Sequence, residues 1–257
     1  MIHKDFSCEF YFIRHGESVS NATPGFAAGK NFDAPLTDKG IGQAQLLGER
    51  LEREGVTFDR VYSSSLTRTV QTTENMLIGM GESGRDFPRV DDIIEQQMPG
   101  WRGVPVEEVY TPENLVYIRS KGAHFVPPDG ESLRMVQRRM SNWLEDEITF
   151  NPDWYEKPGT HTIAIVGHGD TMRTLFHYIT GMDNRLLMRT DIFNCSISRF
   201  RFGSCFVGKR CGLGRCDVWR LGGWLPPGFG NGRYQVEIAC ESADEHCGRG
   251  GYCGDPG

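Results

Sequence analysis

The chain lacks any apolar run that approaches the roughly 20 residues needed to span a membrane. Its first residues, Met1 to Asp5, also lack the separate apolar segment and cleavage site of a secretory signal. These two absences argue against a membrane partner and against secretion. We therefore expect a cytoplasmic protein.

The chain also lacks an excess of positive charge, since 28 Lys and Arg residues stand against 34 Asp and Glu residues and the net charge is −6 at pH 7. An acidic protein is a poor partner for nucleic acid or for an anionic membrane surface. Net charge does not describe a single cleft, however, so a local basic pocket is compatible with this composition. We expect no nucleic-acid partner.

No two of the eight cysteines form a Cys-x-x-Cys pair, which makes a zinc site a weak interpretation. Cys8 and Cys195 lie in the body of the chain. The other six crowd the end, at positions 205, 211, 216, 240, 247 and 253. A disulfide framework there would conflict with a cytoplasmic location. We expect neither a metal nor a cofactor.

What the chain does have is an alternation of strand and helix patterns over most of its 257 residues. Apolar runs at 8–13, 60–63, 161–166 and 195–202 indicate strands. Helical spacing follows from about 37, 66, 132 and 169, with Thr37 placed to cap the first of these helices. This alternation predicts an α/β fold, a three-layer sandwich whose mainly parallel sheet carries helices on both faces.

Three of the predicted strands end in polar residues of unusual character. The first runs into Arg14-His15-Gly16, the second into Ser63 to Arg68, and the third into Gly167-His168-Gly169-Asp170. Ligands of such sheets bind beyond the carboxyl ends of the strands. We therefore expect these three segments to meet in one crevice.

The residues in these segments suit a phosphate monoester. Arg14 and Arg68 offer two guanidinium forks for the phosphate oxygens, and Gly16 lets the backbone approach closely. Neutral His15 could attack phosphorus, while a protonated His168 would stabilise the charge that develops on the oxygens. A carboxylic acid would then protonate the leaving oxygen and activate water. With the positive side chains present, no metal is required.

Together these blocks resemble the histidine phosphatase superfamily, also called the phosphoglycerate mutase-like family, over roughly residues 8–202. The first block, Arg14-His15-Gly16-Glu17-Ser18 followed by Asn21, carries the resemblance most clearly. Later blocks stand in the family's order, at 33–37, 64–68, 130–132, 167–169 and 194–197. The resemblance implies the family's phosphoglycerate mutase-like fold.

The resemblance also implies roles for single residues. His15 would be the phosphorylated nucleophile, and the phosphate would be held by Arg14, Asn21, Arg68, His168 and the backbone of Gly169. Glu95 would be the general acid and base. Around it the sequence departs from the family, because Pro99, Gly100 and Arg102 replace the usual glycine spacing and an acidic residue. Asp170 is the alternative acid.

The expected activity is metal-independent hydrolysis of a small phosphate monoester through a phosphohistidine, which makes the protein a phosphoric monoester hydrolase. The alternative is a phosphoglycerate mutase-type transfer between positions of a small metabolite. That activity would need extra cations, for which Arg102, Arg119 and Lys121 are candidates. A weakly active module that binds a phosphorylated ligand is the second alternative.

The composition divides the chain into two parts. Residues 1–203 form the predicted phosphatase-like domain, with an irregular insertion at about 100–130 that we interpret as a lid. Residues 204–257 are rich in glycine and cysteine and show no helical period. We interpret them as a non-native reading, such as a frameshifted end, or as an appendage.

Overall fold

A central sheet of six strands, in the order β3-β2-β4-β1-β5-β6, organises the protein. The computed structural model describes residues 6–183, 187, 191–203 and 239–241. The strands are β1 (Phe6–Arg14), β2 (Arg60–Ser64), β3 (Arg89–Val90), β4 (Gly159–Gly167), β5 (Ile197–Gly203) and β6 (Ala239–Glu241). Strands β1 to β4 run parallel, whereas β5 and β6 add antiparallel pairs at one edge. The expected α/β class with a mainly parallel sheet is confirmed.

Helices cover both faces of this sheet. The α-helices of the described residues are α1 (Val19–Ala22), α2 (Asp38–Arg53), α3 (Thr67–Gly79), α4 (Val106–Val109), α5 (Pro112–Lys121), α6 (Leu133–Leu144), α7 (Pro152–Tyr155) and α8 (Gly169–Thr180), of which α2, α3, α6 and α8 pack on the sheet. Alternate residues of β1 point to opposite faces, as the pleat of a strand requires. Phe10 and Phe12 pack with α6 and α8, while Tyr11 and Ile13 pack with α2 and α3. The three predicted layers follow from this alternation.

Two of the helices begin where the sequence predicts, directly after a capping residue. Thr37 caps α2, because its Oγ1 accepts a hydrogen bond of 3.0 Å from the Gly40 backbone N–H. Ser132 caps α6 in the same way, with 3.2 Å to the N–H of Met135. A side-chain oxygen in this position satisfies a backbone donor that the helix itself leaves unpaired.

The segment at about 100–130 is more regular than expected, since it contains α4 and α5. Thr111 caps α5 by accepting from the Asn114 N–H at 3.3 Å, and Pro112 occupies the first turn. None of the residues of α5 is buried. A helix that buries no stripe shows no apolar period, so the sequence pattern at 112–121 does not indicate a helix.

Of the glycine- and cysteine-rich end at 204–257, only the strand β6 belongs to the described residues. The interpretation of this end as a non-native reading or an appendage therefore lies outside them. Within the described part of the chain, no helix is both long and apolar enough to cross a membrane.

Helices α2 and α3 approach so closely that glycine is required at their crossing. A Cβ atom built on Gly48 would lie 2.0 Å from the Met76 carbonyl oxygen, and one on Gly79 would lie 2.2 Å from that of Gln45. Backbone atoms cannot move aside as a flexible side chain can. Gly42, on the same helix, has no atom within 4 Å of such a Cβ.

We therefore expect Gly48→Ala and Gly42→Ala to change stability in opposite directions. Gly42→Ala should raise the free energy of unfolding by about 0.5–1 kcal/mol, because alanine restricts the unfolded chain and favours helix. Gly48→Ala should lower it by about 1–3 kcal/mol, because the helices must separate. Denaturant unfolding of both variants measures the difference. Equal changes in the two variants would contradict the close crossing.

Candidate active site

The three polar segments meet because β1, β4 and β2 are parallel neighbours in register. Arg14 lies opposite Gly167 across the β1–β4 pair, and Ser63 lies opposite Val166 across the β2–β4 pair. The chain therefore leaves all three strands at one edge of the sheet. His15, Ser64 and His168 follow within one or two residues of these positions.

His15 is held in one orientation and one tautomer. Its side chain is buried, and Nδ1 lies 2.6 Å from the carbonyl oxygen of Gly16. Because a carbonyl only accepts, Nδ1 carries the proton and donates it. Nε2 then keeps its lone pair, towards which Nε of Arg68 donates at 3.1 Å. Burial, reinforced by the charges of Arg68 and Arg14, lowers the pKa of His15 well below its ordinary value, so the ring is neutral at pH 7.

Gly16 allows the loop after β1 to lie against the start of α2. A Cβ atom at Gly16 would lie 2.5 Å from the carbonyl oxygen of Gly40, and one at Gly40 would lie 2.1 Å from that of Glu17. The Gly16 N–H donates to Oγ1 of Thr72 at 3.0 Å, which ties the loop to α3. The histidine is thus carried by a loop that two helices hold in place.

Arg68 stands in the first turn of α3 and is almost fully buried. Besides its bond to His15, its Nη1 donates to the carbonyl oxygen of Phe32 at 2.6 Å. The helix that carries it is capped from outside by Asp33, whose carboxylate accepts from the N–H of Thr67 at 2.6 Å and from its hydroxyl at 2.9 Å. Asp33 therefore positions Arg68 through the helix start.

His168 lies behind His15, with no exposed surface. The two ring centroids are 5.3 Å apart, with the planes at 62°. Nε2 of His168 lies 2.8 Å from Oγ of Ser64, whereas its buried Nδ1 has no hydrogen-bond partner among the described residues. Burial, followed by the charge of Arg68, lowers the pKa of His168 well below its ordinary value. The ring is therefore neutral in the protein alone, in contrast to the protonated form considered from the sequence.

Arg14 and Asn21 complete the polar lining near His15. Nη1 of Arg14 donates to the carbonyl oxygen of Ile192 at 2.5 Å, which fixes the guanidinium, while its buried Nε has no partner among the described residues. Oδ1 of Asn21 accepts from the Ser18 N–H at 3.1 Å and from Nδ2 of Asn194 at 3.3 Å. With Oδ1 held by these donors, the amide nitrogen of Asn21 is the group left to donate.

Two carboxyl groups face the same space. Glu95 accepts from the Gln96 N–H at 3.0 Å and, at the limit of 3.5 Å, from the N–H of Asp170. Burial, followed by repulsion from the Asp170 carboxylate, raises the pKa of Glu95 above its ordinary value. Asp170 instead forms an ion pair with Arg173 at 2.7 Å. The surroundings of Glu95 therefore favour its protonated form.

A clamp formed by Glu131 and Arg139 holds the segment that carries Glu95. Arg139 donates to both carboxylate oxygens of Glu131, at 3.1 and 2.6 Å. It also donates to the carbonyl oxygens of Asp92 at 2.7 Å and of Glu95 at 3.2 Å. Glu131 in turn accepts from the N–H of Gln97 at 3.0 Å. Helix α6 thereby fixes the backbone on both sides of Glu95.

A cavity of about 280 Å³ opens in front of these groups. Of the candidate catalytic and phosphate-binding residues named from the sequence, six line it: Arg14, His15, Asn21, Arg68, Glu95 and Asp170. His168 and Gly169 do not line it. They are buried, His168 against His15 and Gly169 within reach of Arg14, where an added Cβ would lie 3.6 Å from Nε.

Several residues that support the site were not predicted from the sequence to have a functional role. They are Phe32, Asp33, Ser64, Thr72, Glu131 and Arg139. Asp33, Ser64 and Glu131 stand inside blocks that the sequence analysis quoted, so their place beside the site was visible, although their partners were not. Phe32 and Arg139 act through partners distant in the chain, and no local signal marks them.

The fold defines the class of protein. It is that of the phosphoglycerate mutase-like α/β proteins: a phosphoglycerate mutase from Bacillus anthracis superimposes with a TM-score of 0.61 at 19% identity, covering 78% of this chain and 90% of that one. The chain belongs to the histidine phosphatase superfamily (branch 1), whose family model matches residues 10–207. The resemblance stated from the motifs is therefore confirmed.

Proteins similar to the chain in sequence carry mutase names, and proteins similar in fold include a phosphatase. The chain is 29% identical over 222 residues to a probable phosphoglycerate mutase of Yersinia pestis, covering 84% of this chain and 90% of the relative. A phosphoserine phosphatase from Entamoeba histolytica, in complex with 3-phosphoglyceric acid, superimposes with a TM-score of 0.59 at 22% identity, covering 75% of this chain and 90% of that one. Membership of the superfamily is therefore compatible with either activity.

Proposed function

We propose that this protein is a phosphatase that hydrolyses a phosphate monoester through a phosphohistidine formed on His15. The observation that carries the proposal is the state of that ring. The Gly16 carbonyl accepts its Nδ1 proton, burial lowers the pKa of His15, and the ring lines the cavity together with Arg14 and Arg68. A neutral imidazole whose Nε2 carries the lone pair is the form that attacks phosphorus, once the hydrogen bond from Arg68 to this nitrogen is exchanged for one to the phosphate.

In the first step Nε2 of His15 bonds to phosphorus as the bond from phosphorus to the ester oxygen breaks. The carboxyl group of Glu95 gives its proton to that oxygen, so the alcohol leaves neutral. Arg14 and Arg68 neutralise charge on the phosphoryl oxygens, with the amide of Asn21 as a further donor. Two arginines supply the charge that a metal ion would otherwise bring.

In the second step the Glu95 carboxylate takes a proton from water, and the resulting hydroxide attacks phosphorus. The bond between phosphorus and Nε2 breaks, inorganic phosphate leaves, and Glu95 is protonated again. We assign to His168 and to the backbone of Gly169 the role of hydrogen-bond donors to the phosphoryl group as it bonds to His15. A phosphate dianion beside His168 favours the protonated ring, which opposes the effect of burial on its pKa.

Hydrolysis is favoured over transfer by the charges around the cavity. A mutase must hold the second acidic group of its intermediate while the phosphoenzyme waits. Of the cations suggested for that role, Arg102 lines the cavity, whereas Arg119 and Lys121 do not. A single exposed arginine holds such an intermediate weakly, so water would reach the phosphohistidine first.

A mutase is the second candidate, because the 29% identical relatives carry that name. The two activities differ in what becomes of the phosphate. We expect the wild-type protein, in EDTA, to release one phosphate for each alcohol formed from p-nitrophenyl phosphate and from 3-phosphoglycerate. Isomerised phosphoglycerate without free phosphate would establish the mutase instead. Neither product, despite saturable binding of phosphate, would leave only a binding module. Loss of activity in EDTA that added metal restores would contradict the metal-independent mechanism.

A further inference from the structure

The turn at 192–195, directly before β5, holds the end of β1. The carbonyl oxygen of Ile192 accepts from Nη1 of Arg14 at 2.5 Å. The N–H of Cys195 donates to the carbonyl oxygens of Arg14 at 3.0 Å and of His15 at 3.3 Å. Cys195 has a φ of 53°, in the left-handed region that residues other than glycine rarely adopt. A strained residue whose N–H serves two carbonyl groups indicates that this turn is shaped by its contact with the site.

The side chain of Asn194, in the same turn, joins two groups of the site. Its Nδ2 donates to the carbonyl oxygen of His15 at 2.9 Å and to Oδ1 of Asn21 at 3.3 Å. A carbonyl group only accepts, so the amide nitrogen of Asn194 is the group that faces His15. Its two hydrogens allow one side chain to serve both acceptors. The backbone of the nucleophile and a donor to the phosphate are thereby linked.

Few other contacts hold the side chain of Asn21 in place. Asn21 belongs to α1, a single turn in which no residue is buried. Its Oδ1 accepts from the N–H and from the hydroxyl of Ser18, both at 3.1 Å, but Ser18 caps the same turn. Among the described residues, the bond from Asn194 is the one that reaches this side chain from a distant part of the chain. Asn194 therefore fixes where the Asn21 amide lies relative to His15.

The position of Asn21 matters more than that of a charged donor. Arg14 and Arg68 attract a phosphate by charge, and each is fixed by a hydrogen bond to a backbone carbonyl oxygen. Asn21 is uncharged and exposed, so it contributes only when its N–H points at a phosphoryl oxygen. A donor stabilises a transition state best when its position is fixed before the reaction.

We propose that Asn194 is a positioning residue that fixes the amide of Asn21 beside the nucleophile, ready to donate to the transferring phosphoryl group. Asn194 does not itself line the cavity, so it acts through Asn21. This inference rests on the proposed function, because it places the phosphoryl group at His15.

A double-mutant cycle between Asn194 and Asn21 tests this inference. Asn194→Leu keeps a similar volume and removes both donors, and Asn194→Ala is a second variant with a smaller side chain. Each is combined with Asn21→Ala, and kcat/KM for p-nitrophenyl phosphate is measured for the single and double variants. Asn142→Leu is the matched control, since Asn142 is an exposed asparagine of α6 outside the cavity lining.

The expected result is that the effect of Asn194 depends on Asn21. Asn194→Leu should lower kcat/KM about tenfold when Asn21 is present, as expected for loss of one hydrogen bond to a charged group. After Asn21→Ala the same substitution should lower it about twofold at most, because the group that it positions is gone and the His15 carbonyl keeps its bond from Cys195. Asn142→Leu should change neither value. A residue needed only for folding would cost the same factor in both backgrounds. Equal factors, or no effect in the folded Asn194 variants, would overturn the inference.

The side-chain amide of Asn21 gives a spectroscopic readout that does not depend on turnover. In protein labelled with ¹⁵N-asparagine, the pair of amide peaks that is missing from the Asn21→Ala spectrum belongs to Asn21. We expect Asn194→Leu to shift and broaden this pair and Asn142→Leu to leave it unchanged. An unchanged pair in Asn194→Leu would contradict the inference.

Failure of the proposed function has a different signature. A wild-type protein that does not turn over phosphate monoesters is not the proposed phosphatase. The same cycle is then measured as dissociation constants for inorganic phosphate by titration calorimetry. An effect of Asn194→Leu that disappears after Asn21→Ala would still support the positioning role, and an effect of equal size in both backgrounds would overturn it.

Discussion

Replacing His15 with alanine should abolish turnover of phosphate monoesters, with a loss in kcat on the order of 10⁴-fold or more. The reason is that no other group can take over its bond to phosphorus. His168, the other histidine at this edge of the sheet, does not line the cavity, and its Nε2 lies 2.8 Å from Ser64. The arginines that remain bind the ester without offering a nucleophile.

The measurement has two parts, kinetics and trapping of the covalent intermediate. Rapid denaturation during turnover should leave one phosphoryl group on the wild-type protein, located at His15 by peptide mass spectrometry and labile in acid. The His15→Ala protein should carry none. His124→Ala, which alters a histidine outside the cavity lining, is the control and should behave as wild type. Comparable activity in the His15→Ala protein would refute the mechanism.

Replacing Glu95 with glutamine should produce the second large effect, and its size should depend on the leaving group. For an alkyl phosphate, whose alcohol must be protonated as it leaves, we expect kcat to fall by about 10²- to 10⁴-fold. For p-nitrophenyl phosphate the first step needs little protonation. Release of phosphate still requires a base, so the variant should show a burst of p-nitrophenol equal to the enzyme concentration.

The pH profile identifies which carboxyl group acts. Burial and the Asp170 carboxylate raise the pKa of Glu95, which keeps it protonated to higher pH than an exposed glutamate. Activity on an alkyl phosphate should therefore decline as pH rises through that raised pKa. Removing the neighbouring charge in Asp170→Asn should lower the pKa of Glu95, so the decline should begin at lower pH. If Asp170 were the acid, Asp170→Asn would remove the activity and Glu95→Gln would retain it.

Local patterns predicted the framework of the fold because they depend on neighbours within a few residues. The run at 8–13 and the caps Thr37 and Ser132 describe backbone hydrogen bonds and an apolar face, both of which can be read over short windows. The predicted elements match β1, β2, β4, β5 and the long helices α2, α3, α6 and α8 to within a few residues, whereas the short edge strands β3 and β6 were not predicted. Helix α5 could not be predicted in this way, because it buries no residue and its sequence therefore shows no apolar period.

Candidate site residues could be named because β1, β2 and β4 each end in polar residues and parallel strands end at one edge. The strand ends predict that Arg14, His15, Arg68 and His168 lie in one region, and the order of the motifs adds Asn21, Glu95, Gly169 and Asp170. Which of these side chains reach the cavity and which are buried depends on how separate segments of the chain pack, and no local pattern predicts that.

The sequence by itself determined the α/β class, the family and the set of residues gathered at the end of the sheet, because each is written in short-range pattern and order. Only the tertiary structure decided that His168 lies buried behind His15, that burial and the Asp170 carboxylate raise the pKa of Glu95, and that Arg102 lines the same cavity as Arg68. Contact, burial and charge coupling arise between residues far apart in the chain. They exist only once the sheet has brought those residues together.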